Sequence, residues 1–376
     1  LKETNVKNKN SLVIALLGAL LSMSFAGISV AKEEEKVLNV YNWIDYIAPE
    51  TIKNFEKETG IQVRYDTYDG NEVLDDKLRS KKSGYDIVVP SSDWAKAQIN
   101  SGLLQKLDKS KIPNFKNLDP DILVKLNKAD PGNAYLAGWL WGYTTIGLDV
   151  DKVIQALGKT PMPKNLWELV FNPTYTTKLK SCGIMYLDSP TDIMPIALNY
   201  IGKPAFSNNP ADYAAATAML KKVRADIKTI TSEGQAEKLG DQSICVAIGW
   251  GGDFYRARSE AIKKGNGLNI APVFPEKGAL LFLDSMAIPK DAKHPNNAHQ
   301  FINYILRPEV HAGITNATKY ANPNKASTPL VNGEMRNDRS LFLAPEDFSR
   351  LTAPETLDGN LINVRAEAFE KFKAAK

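Results

Sequence analysis

Strand ends in this chain repeatedly pair an aromatic side chain with a carboxylate two or three residues on: Trp43 with Asp45, Trp250 with Asp253, and Phe282 with Asp284. Tyr320 adds a further aromatic just before an Asn-Pro-Asn turn. Aromatic faces attract cations and pack against methylenes, while carboxylates neutralise ammonium groups. The solute that needs both is an aliphatic chain bearing separated ammonium charges. Catalytic arrangements are missing. The sequence holds no Gly-x-Ser-x-Gly elbow, no His-Glu-x-x-His and no phosphate-binding glycine loop. His294, His299 and His311 all fall late, on helix-like or polar segments, and are expected at the surface. The run Gly249-Trp250-Gly251-Gly252-Asp253 lacks dinucleotide spacing; its glycines let the backbone turn after a buried strand and present Trp250 and Asp253. No enzyme activity, metal or cofactor is expected.

Those pairs must be positioned by alternating strands and helices. Residues 37–42 read as a short apolar strand and 49–59 as a helix, with Pro49 at its start and Gly60 as its stop. A strand at 61–68, a helix at 72–80, a β-branched strand at 85–90 and a helix at 92–101 follow. This order predicts a mainly parallel sheet with right-handed crossovers. Ligands of such sheets sit beyond the carboxyl ends of the strands, where Trp43-Ile44-Asp45 and Ser91-Ser92-Asp93 fall. A second α/β unit begins near Tyr143, with strands at 183–187 and 244–249 and helices at 193–201 and 210–224. Residues 278–289 form another strand-like stretch, followed by a helix at 295–305 and a polar C-terminal region. Two α/β lobes with ligand-type residues at their strand ends predict a cleft between them.

Ahead of all this lies an apolar run preceded by Lys2, Lys7 and Lys9 and closed by Ser29-Val30-Ala31. Small residues at those positions predict a signal peptide over 1–31, cleaved near Ala31, rather than the rival membrane anchor. No Cys follows the run, so nothing there marks a lipid anchor. The remaining chain of about 345 residues suffices for two domains. The leader holds three Lys and one Glu, which lowers the net charge from +4 to +2. Nearly neutral and without a basic stripe, the exported chain offers nothing to nucleic acid. Cys182 and Cys245, the two cysteines, predict a disulfide in an oxidising compartment.

Six segments then carry a family resemblance: YNWIDYIAPET (41–51), YDIVVPS (85–91), CGIMYLDSP (182–190), ICVAIGWGGD (244–253), FLDSMAIP (282–289) and YANPNKASTPLV (320–331). In order and spacing the chain resembles the periplasmic putrescine- and spermidine-binding proteins of bacterial ABC importers, above all their putrescine branch. The resemblance implies a type II-like two-lobed binding-protein fold, each lobe a mainly parallel sheet flanked by helices, with hinge crossings near Tyr143 and Leu281. Lobe 1 would comprise 37–142 and 281–325, and lobe 2 would comprise 143–280 and 326–376. Trp43, Asp45, Ser91, Phe282, Asp284 and Tyr320 would face the cleft from the first lobe, and Asp192, Ser232, Trp250 and Asp253 from the second. Asp45 and the second-lobe acids would engage one ammonium region, Asp284 and Asp253 would hold the charged amines, and Trp250 and Phe282 would clamp the methylenes. The family's disulfide falls on Cys182 and Cys245. A monomer working with an inner-membrane permease is implied.

Three departures stand out. Ile44 occupies a position that in the family is small and hydroxyl-bearing. Thr191-Asp192 stands where the family carries an acidic pair, which subtracts a carboxylate. Glu355 lies where the putrescine branch carries a basic residue. Ile44 and Thr191 are therefore candidate specificity positions. The rival outcomes are a divergent receptor for another cationic solute and an accessory envelope protein that no longer binds polyamines.

Overall fold

The computed structural model describes Leu1 and residues 34–276, 278–357 and 359–375. Apart from Leu1, the leader expected over 1–31 lies outside those residues. In the first lobe β1 (Val37–Trp43) is central, paired in parallel with both β2 (Gln62–Tyr68) and β3 (Ile87–Val88). The connecting helix α1 (Pro49–Thr59) opens on proline and ends at Gly60, whose φ of 71° is the left-handed conformation that lets its N–H reach back to Glu56. Phe55 drives α1 onto the core against Phe301. Next come α2 (Asn71–Arg79), α3 (Ser92–Asn100), β4 (Leu104–Gln105) and α4 (Pro120–Leu126).

The thirteen-residue strand β5 (Ala137–Asp149) is buried throughout and carries the chain into the second lobe. There α5 (Val150–Leu157), α6 (Glu168–Phe171) and α7 (Pro173–Leu179) precede β6 (Ile184–Tyr186). Helices α8 (Pro190–Tyr200) and α9 (Pro210–Lys221) follow, then β7 (Thr229–Ile230), α10 (Gln235–Gly240), β8 (Val246–Trp250), α11 (Gly251–Lys264) and β9 (Ile270–Val273). The chain returns through β10 (Leu280–Met286) and β11 (Ile288–Pro289), α12 (Pro295–Ile305), α13 (Pro308–Thr318), α14 (Gly333–Arg336), α15 (Pro345–Ser349) and α16 (Gly359–Lys373). The second sheet runs β10-β5-β8-β6-β7, with β9 also on β5. It is mixed: β6 is parallel to β7 and β8, while β5 is antiparallel to β8, β9 and β10. The outgoing and returning strands lie side by side, with Tyr143 opposite Leu281.

Cys182 and Cys245 form the expected disulfide. Each immediately precedes a strand turn or strand, and the bond ties the starts of neighbouring β6 and β8 together. Among the described residues no helix is long and apolar enough to cross a membrane.

Two expectations fail. The histidines are not at the surface: His311 is fully buried, His299 is 4 % exposed, and the His294 side chain is largely covered. Each is held by a specific partner, which is how a polar ring tolerates burial. Nε2 of His311 meets the Trp139 carbonyl at 2.5 Å, Nε2 of His299 accepts the Asp108 N–H, and Nδ1 of His294 meets Asp86 at 2.9 Å. Nor is the C-terminal region simply polar. Leu361, Phe369 and Phe372 of α16 enter the second lobe's core beside Ile146, Ile184 and Val246.

Candidate functional site: a carboxylate cleft walled by aromatics

Asp284 sits where a register shift interrupts the β10–β5 pairing, and it forms a backbone bridge with Ser91 at the end of the first sheet. Its carboxylate is buried and held by two neutral donors. The Ser91 hydroxyl donates at 2.7 Å and the Tyr46 hydroxyl at 2.8 Å. Burial pushes its pKa up to about 7; the two hydrogen bonds oppose the rise, and the charges of Asp93 and Asp192 add to it. Asp192 stands in the first turn of α8, where the helix N-terminus favours negative charge. The Thr144 hydroxyl donates to it, as does Ser189 at 2.7 Å. Burial still raises its pKa, against hydrogen bonds from Thr144, Ser189 and Trp250.

Asp253 occupies the corresponding first turn of α11, directly beyond β8. Its side chain is 16 % exposed. Burial lifts its pKa to about 6, with Arg256 and a hydrogen bond from Tyr320 pulling down and Glu237 and Asp45 pushing up. The site thus has two poles. The charges of Asp192 and Asp93 act on Asp284 at one, and the charge of Asp45 acts on Asp253 at the other.

Aromatic rings join the poles. The Phe282 and Tyr320 centroids are 6.0 Å apart and those of Tyr46 and Tyr320 5.2 Å. Two glycines make room for them. A Cβ on Gly142, which is paired with Phe282 across the strands, would lie 2.5 Å from the Phe282 ring. A Cβ on Gly252 would lie 2.6 Å from the Tyr320 ring. Trp43 is pinned by its indole N–H to the Val89 carbonyl at 2.9 Å and by its ring against Tyr68. Trp250 packs against the cores of both lobes.

The other expected positions are less tightly drawn in. Asp45 is exposed and adopts a φ of 55°. Ile44 is 50 % exposed, so it does not pack beneath Trp43. Thr191 is tied to Ser189, oxygen to oxygen, at 2.9 Å. Ser232 lies in the turn before α10, and among the described residues no hydrogen bond, ion pair or ring contact links it to the others. Glu355 lines a cavity of about 440 Å³ with Glu72, Asp93 and Arg365. Tyr46, Thr144, Ser189 and Arg256 were not singled out from sequence. Arg256 could have been, since it lies three residues after Asp253 on a helix, the spacing at which side chains meet. Among the described residues no group of three or more His, Cys, Asp or Glu is placed to hold a metal ion. The arrangement suits buried carboxylates that receive a cation, with rings to cover its carbon chain.

Comparison with known proteins agrees. The chain is 42 % identical over 370 residues to the putrescine-binding periplasmic protein PotF of Escherichia coli, covering 98 % of this chain and 99 % of that one. It is 43 % identical to the putrescine-binding periplasmic protein SpuD of Pseudomonas aeruginosa, covering 96 % and 98 %. The crystal structure of PotD, substrate-binding protein of a spermidine/putrescine ABC transporter from Streptococcus pneumoniae, superposes with a TM-score of 0.73 at 28 % identity, covering 90 % and 99 %. Residues 50–340 match the bacterial extracellular solute-binding protein family. With that match over most of its length and relatives above 40 % identity across nearly the whole chain, this chain belongs to that family.

Proposed function

We propose that the chain is an exported periplasmic receptor that binds an aliphatic di- or polyamine of the putrescine type between its lobes and delivers it to an inner-membrane ABC permease. Asp284 carries the reading. It is 5 % exposed, bonded only to neutral hydroxyls, and among the described residues no cationic side chain forms an ion pair with it. A buried carboxylate without a counter-cation is costly, and a ligand ammonium supplies what is missing. Phe282, Tyr320 and Trp250 cover the methylenes, and Asp253 takes the far end. The periplasmic location rests on the leader read in the sequence and on the names of the relatives.

The lobes divide at Tyr143 and Leu281, giving 37–142 with 281–325 and 143–280 with 326–376. The pairing of those two residues supports a hinge there, because two adjacent strands can flex together. The molecule acts as a monomer and catalyses no reaction. Calorimetric titration of the mature protein with putrescine and spermidine tests the function. Saturable binding of either amine is expected, with thermal stabilisation that grows with ligand concentration. Failure of both, with the protein folded, overturns the reading.

A further inference from the structure

The two poles of the cleft are not equivalent. Asp284 itself meets only two hydroxyls, the buried Arg365 at that pole being drawn to its neighbours Asp93 and Asp192, whereas Asp253 has a guanidinium directly beside it. Nη2 of Arg256 lies 3.7 Å from Oδ1 of Asp253, and Nη1 lies 3.2 Å from Oε1 of Glu237 on the neighbouring helix α10. This is not an ordinary surface pair. The Asp253 and Arg256 side chains are 16 % and 30 % exposed, against 69 % and 73 % for Glu50 and Lys53 at the same spacing on α1. Glu237, itself 59 % exposed, meets the guanidinium's other terminal nitrogen. A guanidinium also keeps its charge at any physiological pH, so it cannot yield to a ligand by losing a proton.

Resting on the amine-receptor reading, we propose that Arg256 is a specificity-determining residue: an internal counter-cation that partly fills the Asp253 pole. The cleft then takes amines with one ammonium, seated at Asp284, and an uncharged hydrogen-bonding far end about as readily as it takes a symmetrical diamine. The physical reason is like-charge repulsion. An ammonium placed on Asp253 lies on the order of 6 Å from the guanidinium, and at an effective dielectric of about 20 that costs roughly a hundredfold in affinity. A hydroxyl at the same place suffers no such repulsion, and the Asp253 carboxylate can accept its proton. Burial keeps Asp253 from ionising as readily as an exposed acid even with Arg256 beside it, so the pole is weakly negative on two counts.

Titration calorimetry at pH 8 with putrescine and with 4-amino-1-butanol, which replaces one ammonium by a hydroxyl at the same chain length, separates the alternatives. In the wild-type protein the two affinities should differ by less than about tenfold. Arg256→Gln and Arg256→Met should each tighten putrescine by at least about tenfold and move 4-amino-1-butanol by less than about threefold. Arg256→Lys, which retains the charge, should keep the wild-type ratio. A partly exposed side chain makes loss of folding in both neutral variants unexpected, and either one that melts like wild type suffices. Wild-type binding of putrescine with an unchanged affinity ratio in the neutral variants overturns the proposal alone and leaves Arg256 as a clamp between α10 and α11. Absence of binding by both amines in the wild type overturns the amine-receptor reading and this proposal together.

Discussion

A proton on Asp284 links stability to binding. Burial raises its pKa from the usual 3.8 to about 7 in the folded chain, so between those values the folded state holds a proton that the unfolded state releases. Its contribution to stability is therefore fully present below about pH 3.8 and is lost as pH rises through 7. Asp284→Asn cannot ionise and should escape that loss. Ligand-free, this variant should melt with the wild type near pH 4 and roughly 10 °C above it at pH 8, a differential of about 4 kcal/mol. Equal melting temperatures at both pH values would remove Asp284 as a buried titrating group. The same proton opposes an incoming ammonium. Putrescine affinity should fall by about tenfold between pH 8 and pH 6, read by calorimetry in buffers of matched ionic strength. Ile44 shows a different kind of residue effect. Half exposed, it can be shortened without opening a cavity, so Ile44→Ser should leave the melting temperature within about 1–2 °C. A hydroxyl there restores a donor or acceptor at the cleft mouth, and putrescine should bind several-fold tighter. Unimproved binding would remove Ile44 from the specificity positions.

Elements explain why these residues meet. The two first-turn carboxylates, Asp192 on α8 and Asp253 on α11, arrive by one device: a strand of the second sheet followed closely by a helix whose first turn carries the acid. Gly252 lies in the first turn of α11, and its missing Cβ leaves room for the Tyr320 ring. Gly252→Ala should displace that ring, weakening putrescine binding by roughly tenfold while far-UV circular dichroism stays unchanged. Wild-type affinity would show that the ring position does not matter. The disulfide acts across the neighbouring strands β6 and β8. With its cysteines 63 positions apart, it should contribute about 4 kcal/mol by limiting the unfolded chain. Reduction should therefore lower the melting temperature by roughly 10 °C. Much of this element order was legible in sequence, because Pro49 and Gly60 bracket α1 and β-branched runs mark the buried strands. The aromatic–acid pairs at strand ends were legible for the same local reason. Tyr46 was not, because its hydroxyl meets Asp284 only after the chain has travelled 238 residues to return beside it. The buried histidines escaped likewise: His311 is satisfied by the carbonyl of Trp139, 172 residues away.

At the scale of the whole molecule, the proposed receptor draws its ligand contacts from both lobes, so they are complete only when the cleft is shut. Small-angle scattering should show a smaller radius of gyration at saturating putrescine than without it, and an unchanged radius under confirmed binding would argue against closure. Contact between the lobes is not confined to the ligand. The Thr356 hydroxyl donates to the Asp93 carbonyl at 3.2 Å, and the buried Arg365 of α16 is drawn towards the charges of Asp93 and Asp192. Helix α16 also completes the second lobe's core from far along the chain. Its Phe369 and Phe372 share a core with β5, β6 and β8, which precede them by more than a hundred residues. During synthesis the lobe therefore waits, its groove between α8 and α9 open, until residue 372 has emerged. A nascent chain that cannot finish its core stays loose and threadable, which is the state an export channel requires, and it is sealed by the turns of α16.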